Sequence, residues 1–219
     1  MTEAIVLLSG GMDSTICLYW AKDKFDYIEA ITFDYMQRHQ REIQSAVKIA
    51  YYAKVDHRII QFPTLGEILD TALTREREIK SKNGLPTTWV PNRNLIFFSL
   101  ASAYGSQKNI YDYVGGMCQT DYSGYFDCRR ETIDSFEQSL ALSLGKSIKI
   151  HTPLMYQTKA QSLQMAQQMD SCMDALALSH TCYYGKRPAC GKCPACKLRL
   201  NAFKEIGLRD VIEYEYMEI

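Results

Sequence analysis

The sequence predicts an α/β protein, a parallel sheet wound by helices, with a small cysteine-rich segment at its C-terminal end. Three observations predict it. Short apolar runs alternate with stretches of helical spacing along most of the chain. The first and fourth runs end in glycine pairs, Gly10-Gly11 and Gly115-Gly116, which mark turns at strand ends. The last thirty-odd residues break the alternation and carry four of the eight cysteines. Strand–helix alternation implies parallel strands joined by right-handed crossovers.

The elements follow in order. Residues 4–8 form an apolar run stopped by Ser-Gly-Gly, hence a buried strand, and residues 14–21 continue as a helix with Ile16, Leu18 and Trp20 among its apolar positions. Residues 28–33 read as a second strand. Residues 40–53 read as a helix with Ile43, Val47 and Ala50 on one face. Residues 57–61 give a third strand, ended by Phe62-Pro63. Residues 74–88 are charged and polar without periodicity, a loop or lid over a site. Residues 94–107 are apolar with helical spacing, and residues 110–114 form the fourth strand. Residues 132–144 are helical, residues 147–150 a short strand, and residues 158–168 a helix capped by Thr158. Residues 197–203 form the last helix, with Pro194 in its first turn. The expected division is residues 1–178 as the α/β domain and 179–219 as a metal-binding segment packed on it.

Composition narrows the function classes. Apolar residues make up 47% and charged residues 23%, ordinary for a globular protein. No apolar run nears the roughly 18 residues that span a bilayer, and the N-terminus has no basic lead into an apolar stretch. A cytoplasmic protein with no membrane contact is expected. The 25 basic residues equal the 25 acidic ones, which argues against a strong footprint for nucleic acid.

The first turn carries the clearest chemistry. Ligands of open parallel sheets bind beyond the carboxyl ends of strands. Ser9-Gly10-Gly11-Met12-Asp13-Ser14 sits at such an end and leads into a helix. Glycines let backbone approach a ligand, helix-start N–H groups attract anions, and Ser9, Ser14 and Thr15 add hydroxyls. This is a phosphate cradle, spanning Leu8 to Thr15, without the Gly-Lys-[Ser/Thr] of kinase-type P-loops. Asp13 beside phosphate suggests an intervening Mg²⁺. The plain alternative is a Gly-Gly turn that only joins strand to helix.

Cys182-x7-Cys190-x2-Cys193-x2-Cys196 supplies four thiolates. Four sulfurs suit a closed, tetrahedral structural Zn²⁺. An iron–sulfur cluster or free thiols are the alternatives. Cys17 reads as core. Cys118 and Cys128 flank the next stretch, and a nucleophilic thiol is the alternative there to a plain structural one.

That stretch, Gly115 to Glu131, follows the fourth strand and should share the crevice with the phosphate loop. It interleaves Asp121 and Asp127 with Tyr122, Tyr125, Phe126, Arg129 and Arg130. Aromatics stack on flat heterocycles, and carboxylates accept from the amino edge of a guanine-like ring.

Together these stretches resemble one family. The six-residue loop is similar to the pyrophosphate loop of the N-type ATP pyrophosphatases. With Phe33-Asp34-Tyr35-Met36-Gln37-Arg38-His39, Val90-Pro91-Asn92-Arg93-Asn94, the Gln119–Arg129 segment, Thr152-Pro153-Leu154-Met155 with Lys159, and the cysteine cluster, the chain resembles the 7-cyano-7-deazaguanine synthases, the preQ0 synthases of queuosine biosynthesis. The motifs keep their order over nearly the whole chain.

The resemblance implies a Rossmann-like, HUP-type fold and a reaction of 7-carboxy-7-deazaguanine, ammonia and ATP, releasing AMP and pyrophosphate. It implies ATP as co-substrate, Mg²⁺, structural zinc and a homodimer. It nominates Asp13, Arg38, Arg93 and Lys159 as catalytic, and Gln119, Asp121, Tyr122, Tyr125, Asp127 and Arg129 as substrate-binding. Arg93 could instead cap a loop, Lys159 could be a solvated helix residue, and His39 could be a base or a hydrogen-bonded structural histidine. Four positions depart from the family pattern: Gln119 stands where Glu is usual, Phe126 for Pro, and Asn92 and Met36 for Gly. Alternatives on the same scaffold are a ligase that stops at the amide or joins another amine, and a tRNA thiolation enzyme. A zinc adaptor is the non-enzymatic alternative.

Overall fold

The computed structural model describes residues 1–82, 85–118 and 125–216. Its elements in chain order are β1 (Glu3–Leu7), α1 (Met12–Lys22), β2 (Tyr27–Asp34), α2 (Arg41–Ala53), β3 (Asp56–Gln61), α3 (Pro63–Ile68), β4 (Ser81–Lys82), β5 (Leu85–Pro86), α4 (Arg93–Ser106), β6 (Asp112–Val114), a 3₁₀ turn (Phe126–Cys128), α5 (Arg130–Leu144), β7 (Lys149–His151), α6 (Lys159–Gln167), α7 (Cys172–Leu178) and α8 (Pro194–Glu205).

Five strands form one parallel sheet in the order β3-β2-β1-β6-β7, while β4 and β5 pair as a separate antiparallel ribbon. The sheet has apolar cores on both faces, as strands joined by helical crossovers require. Alternation along β1 makes this visible. Ala4 and Val6 join one core with α1, α2, α6, α7 and the end of α8. Ile5 joins the other with α3, α4 and α5. The order reverses between β1 and β6, and that switch point is where an open α/β sheet leaves a crevice.

The expected α/β class and the five main strands are observed. Thr158 caps α6 through a capping box: Gln161 N–H donates to Thr158 Oγ1 at 3.1 Å, and Thr158 N–H donates to Gln161 Oε1 at 2.8 Å. Pro194 opens α8, three residues before the stretch where helical spacing begins. Two short helices differ from expectation. Phe62-Pro63 ends β3 but also starts α3, because proline suits the first helical turn. The helix α7 has no clear polar face, since Cys172, Ala175 and Leu176 are buried against α1 and α2. The described residues of the 74–88 loop are largely irregular apart from the β4–β5 ribbon, and Ile79, Lys80, Pro86 and Thr88 border one side of the crevice.

α8 packs on α6, and a buried ion pair fixes it to the end of α7. Arg199 meets Asp210 through two hydrogen bonds of 2.8 and 2.9 Å, and also donates to Ser179 Oγ and Leu176 O. Tyr214 OH donates to the same carboxylate at 2.6 Å. Among the described residues, every hydrogen-bond partner of this buried charge pair lies between residues 176 and 214, so the pair ties the cysteine segment to the end of α7.

Candidate active site

β1 ends at Leu7 and the chain turns into α1 through Ser9, Gly10 and Gly11. Gly10 has φ +87°, and a Cβ there would lie 2.1 Å from the Glu42 carbonyl oxygen and 2.7 Å from the Ala46 amide. Glycine is required here by the close packing of the loop on α2. The sequence reading gave the glycines to ligand approach and to positive φ; Gly10 has the positive φ, and its lack of a Cβ serves packing on α2. At Gly11 the nearest contact of a Cβ would be 3.4 Å.

The helix ladder of α1 begins with Thr15 N–H donating to Gly11 O at 3.1 Å. The amides before it have no place in that ladder. Ser9 and Ser14 hydroxyls lie 3.0 Å apart, Gly11 N–H donates to Ser9 Oγ, and Ser14 Oγ donates to Gly11 O. Thr15 is turned inward. It is fully buried and donates its hydroxyl to Gly11 O at 2.8 Å, so it braces the loop and does not line the crevice as expected.

The crevice is a cavity of about 890 Å³ at the carboxyl ends of β1, β2 and β6. Leu8, Ser9, Gly11, Met12, Asp13 and Ser14 line it, as do Arg38, Arg93, Tyr125 and Lys159. Residues distant in sequence thus meet in one space. Lys159 Nζ donates to Asp13 Oδ2 at 2.5 Å. Asp13 Oδ1 is buried and has no hydrogen-bond partner among the described residues. Gly116 lets the end of β6 approach this point, since a Cβ there would sit 3.1 Å from Ser14 N and 3.2 Å from Asp13 Cβ.

Arg38 donates its backbone N–H to Leu73 O at 2.7 Å, which anchors it beneath the 74–88 loop. Its guanidinium is 3.5 Å from Glu76, an exposed and weak partner. Arg93 opens α4 and donates to Tyr35 OH at 3.3 Å. Burial works against its charge, but the Tyr35, Tyr125 and Asp127 oxygens outweigh that and hold it protonated. Tyr125 shares a hydrogen bond of 2.8 Å with Thr88 Oγ1, and burial pushes its phenol upward. Two positions that depart from the family's glycines, Met36 and Asn92, have φ of +62° and +58°, the left-handed region that glycine tolerates best.

Several expected substrate residues sit elsewhere. Asp127 is 5% exposed and accepts from Asn94 N–H at 3.1 Å and Asn94 Nδ2 at 3.0 Å. It caps the start of α4 and does not line the cavity. Arg129 stacks on Phe126 with 4.5 Å to the ring centroid and pairs with Glu131, also away from the cavity. Gln119, Asp121 and Tyr122 lie outside the described residues. Cys118 and Cys128 both border the cavity; Cys118 Sγ donates to Gln157 O and Asn94 Nδ2 donates to Cys128 Sγ. Cys17 is core, and burial raises its thiol well above the ordinary range.

His39 borders the cavity with Nε2 buried and lacking a hydrogen-bond partner among the described residues. Burial, then Arg38, keep its imidazole below the usual histidine range. Tyr183 and Glu42 are among the lining groups that escaped the sequence reading. Tyr183 lies next to Cys182 of the cysteine cluster and has no spacing signal of its own. Glu42 lies in the first turn of α2, where an acid looks like an ordinary dipole partner. Burial pushes Glu42 up to about 7, with Arg93 acting in the opposite sense.

Beyond the cavity wall, the Sγ atoms of Cys182, Cys190, Cys193 and Cys196 all lie within 4.8 Å of one another and are buried. Hydrogen bonds among Cys182, Cys193 and Cys196 couple their titrations and favour a shared thiolate in the group. Cys190 and Cys196 sulfurs are 3.9 Å apart. Tetrahedral bonds of about 2.3 Å to a single zinc ion place sulfurs at this kind of spacing. A cluster of several irons would hold them farther apart. Lys197 and Ala195 of the same segment form part of the cavity wall.

A family model described as queuosine biosynthesis protein QueC matches residues 3–207. A 7-cyano-7-deazaguanine synthase of Chromobacterium violaceum is 44% identical over 215 residues, covering 95% of this chain and 92% of the relative. One from Rhodopseudomonas palustris (strain ATCC BAA-98 / CGA009) is 45% identical over 223 aligned positions, covering 92% and 94%. Among solved structures, a 4-thiouridine synthetase–RNA complex with bound ATP is similar with a TM-score of 0.52 and 13% identity, over 94% of this chain and 50% of that chain. That likeness is one of fold.

Proposed function

The chain belongs to the family of queuosine biosynthesis protein QueC, and on that premise we propose that it converts 7-carboxy-7-deazaguanine, ammonia and ATP to 7-cyano-7-deazaguanine (preQ0), releasing AMP and pyrophosphate. The observation that carries this reading is the meeting of the phosphate loop, the Asp13–Lys159 pair and Arg93 in one cavity.

The first amides of α1 and the Ser9 and Ser14 hydroxyls bind the β- and γ-phosphates, aided by the helix dipole. The α-phosphorus then faces the interior, where a substrate carboxylate oxygen attacks it. Arg38, Arg93 and Lys159 balance the charge that develops on the phosphate oxygens. Adenylation makes the poor leaving group of a carboxylate into AMP. Ammonia displaces it to give the amide. A second adenylation, on the amide oxygen, lets AMP leave again and yields the nitrile. One geometry serves both activations, because each aims an oxygen at the same phosphorus. Tyr125 provides an aromatic face for the deazaguanine ring.

The buried Asp13 Oδ1, without a partner among the described residues, fits a hard divalent cation beside this helix start, and Asp13 would hold the Mg²⁺ that accompanies ATP. Such an ion neutralises triphosphate charge when bound. The four thiols fit structural zinc. Residues 1–178 act as the ATP pyrophosphatase unit and residues 179–219 as a zinc-stapled wall. The reading includes a homodimer in the cytoplasm, with its state in solution measured by light scattering.

The test is one incubation of the purified chain with the acid, ammonia, Mg²⁺ and ATP, followed by mass spectrometry. The nitrile with AMP and pyrophosphate is expected. Amide alone, with excess ATP present, would assign the chain to a ligase that stops one step earlier.

A further inference from the structure

In neutral water ammonia is mostly ammonium, whose nitrogen has no lone pair to attack with. The cavity must therefore collect a cation and take a proton from it. Most of its charge works against that task, since Arg38, Lys80, Arg93, Lys159 and Lys197 all border it. Only two carboxylates border it among the described residues, Asp13 and Glu42. Asp13 is engaged by Lys159 at 2.5 Å.

Glu42 is built into the site. Its carbonyl oxygen lies where a Cβ on Gly10 would come within 2.1 Å, so its backbone rests on the phosphate loop. The ionisable groups facing its side chain are Arg93 of α4, Tyr35 after β2 and Tyr183 of the cysteine segment. We propose that Glu42 captures ammonium in this cavity and takes its proton, delivering neutral ammonia to the adenylated carbon. The proposal rests on the reaction given above.

The step balances. Glu42 carboxylate removes one proton from ammonium. The freed lone pair forms the C–N bond at the acyl carbon. The C–O bond to AMP breaks, its electron pair leaving with the phosphate. The second proton, from the nitrogen of the adduct, goes to the departing phosphate. Amide, AMP and a protonated Glu42 result. Burial that lifts this carboxyl to about 7 makes it able both to accept the proton and to release it before the next turnover.

The experiment separates adenylation from ammonia use. Acid-dependent exchange of pyrophosphate into ATP, without ammonia, reads the first activation and the integrity of the fold. Steady-state rates against total ammonia between roughly pH 6 and 9 read the second step. In Glu42→Gln, exchange should stay within about twofold of wild type while kcat/KM for total ammonia at neutral pH falls about 100-fold. The variant's rate should then follow free ammonia, rising about tenfold per pH unit where the wild type levels off. Glu42→Asp should recover part of the loss. Unchanged ammonia dependence in Glu42→Gln, or loss of exchange in parallel with it, would overturn the assignment. Absence of exchange in the wild type would instead overturn the reaction itself and this step with it.

Discussion

Asp13 has two different oxygens. One holds Lys159 and the other is buried without a partner among the described residues. A buried carboxylate oxygen left unsatisfied costs about 1–3 kcal/mol, which a bound cation removes. Asp13→Ala should therefore abolish AMP formation with little loss of melting temperature; AMP release at the wild-type rate would refute the role. Glu42 makes a pH-dependent contribution of definite sign. Its folded-state pKa of about 7 lies above the ordinary 4.5. The folded chain thus holds a proton that the unfolded chain has lost between these values, and stability falls as pH rises through that window. Glu42→Gln lacks this loss. It should be more stable than wild type by about 2 kcal/mol at pH 8 and near neutral at pH 4, a figure reduced from the full shift because water in the open cavity screens the charge. Thermal melts of both proteins across that range measure it. Met36 offers a third residue-scale test. Its φ of +62° costs a methionine about 1–2 kcal/mol, against about 0.5–1 kcal/mol for the added freedom of glycine. Met36→Gly should raise the urea midpoint modestly.

At the scale of elements, the loop and α2 form one packed unit. Gly10 is the contact, so the loop at residues 9–14 keeps its shape only while α2 stays against it. Gly10→Ala should cost about 2–4 kcal/mol, from backbone clash and a left-handed φ together, and should weaken ATP binding at the same time. Calorimetry with a non-hydrolysable ATP analogue reads the second effect. The same logic runs through Gly116, which admits the end of β6 to the start of α1. These helices and strands were legible because their apolar positions repeat with the period of the element. The short helices α3 and α7 were not, since each spans barely two turns and takes its stability from neighbours. Asp127 teaches a related point. An acid in a loop reads as a ligand for substrate, yet here it accepts from the backbone amide and the side chain of Asn94 at the start of α4, and nothing in its local sequence distinguishes the two uses.

For the whole molecule, the cysteine segment is both staple and wall. The four sulfurs gather at one buried point, and α8 runs from there along the cavity edge to the Arg199–Asp210 pair. Cys193→Ser should lose the metal by elemental analysis and lower the melting temperature, because the segment has little apolar core of its own. Unchanged metal content would show that the cluster is not the ligand set. By itself the sequence determined the α/β alternation, the loop at the first strand end, and the metal-binding spacing. Each of these is local: periodicity, turn chemistry and ligand spacing are written within a few neighbouring residues. Only the tertiary structure decided which lining groups share the cavity. It brought Lys159 to Asp13 across 146 positions of sequence, turned Thr15, Asp127 and Arg129 away, and set Glu42 in the wall. Side-chain direction depends on how helices from distant parts of the chain pack on the sheet, and no short stretch of sequence carries that information.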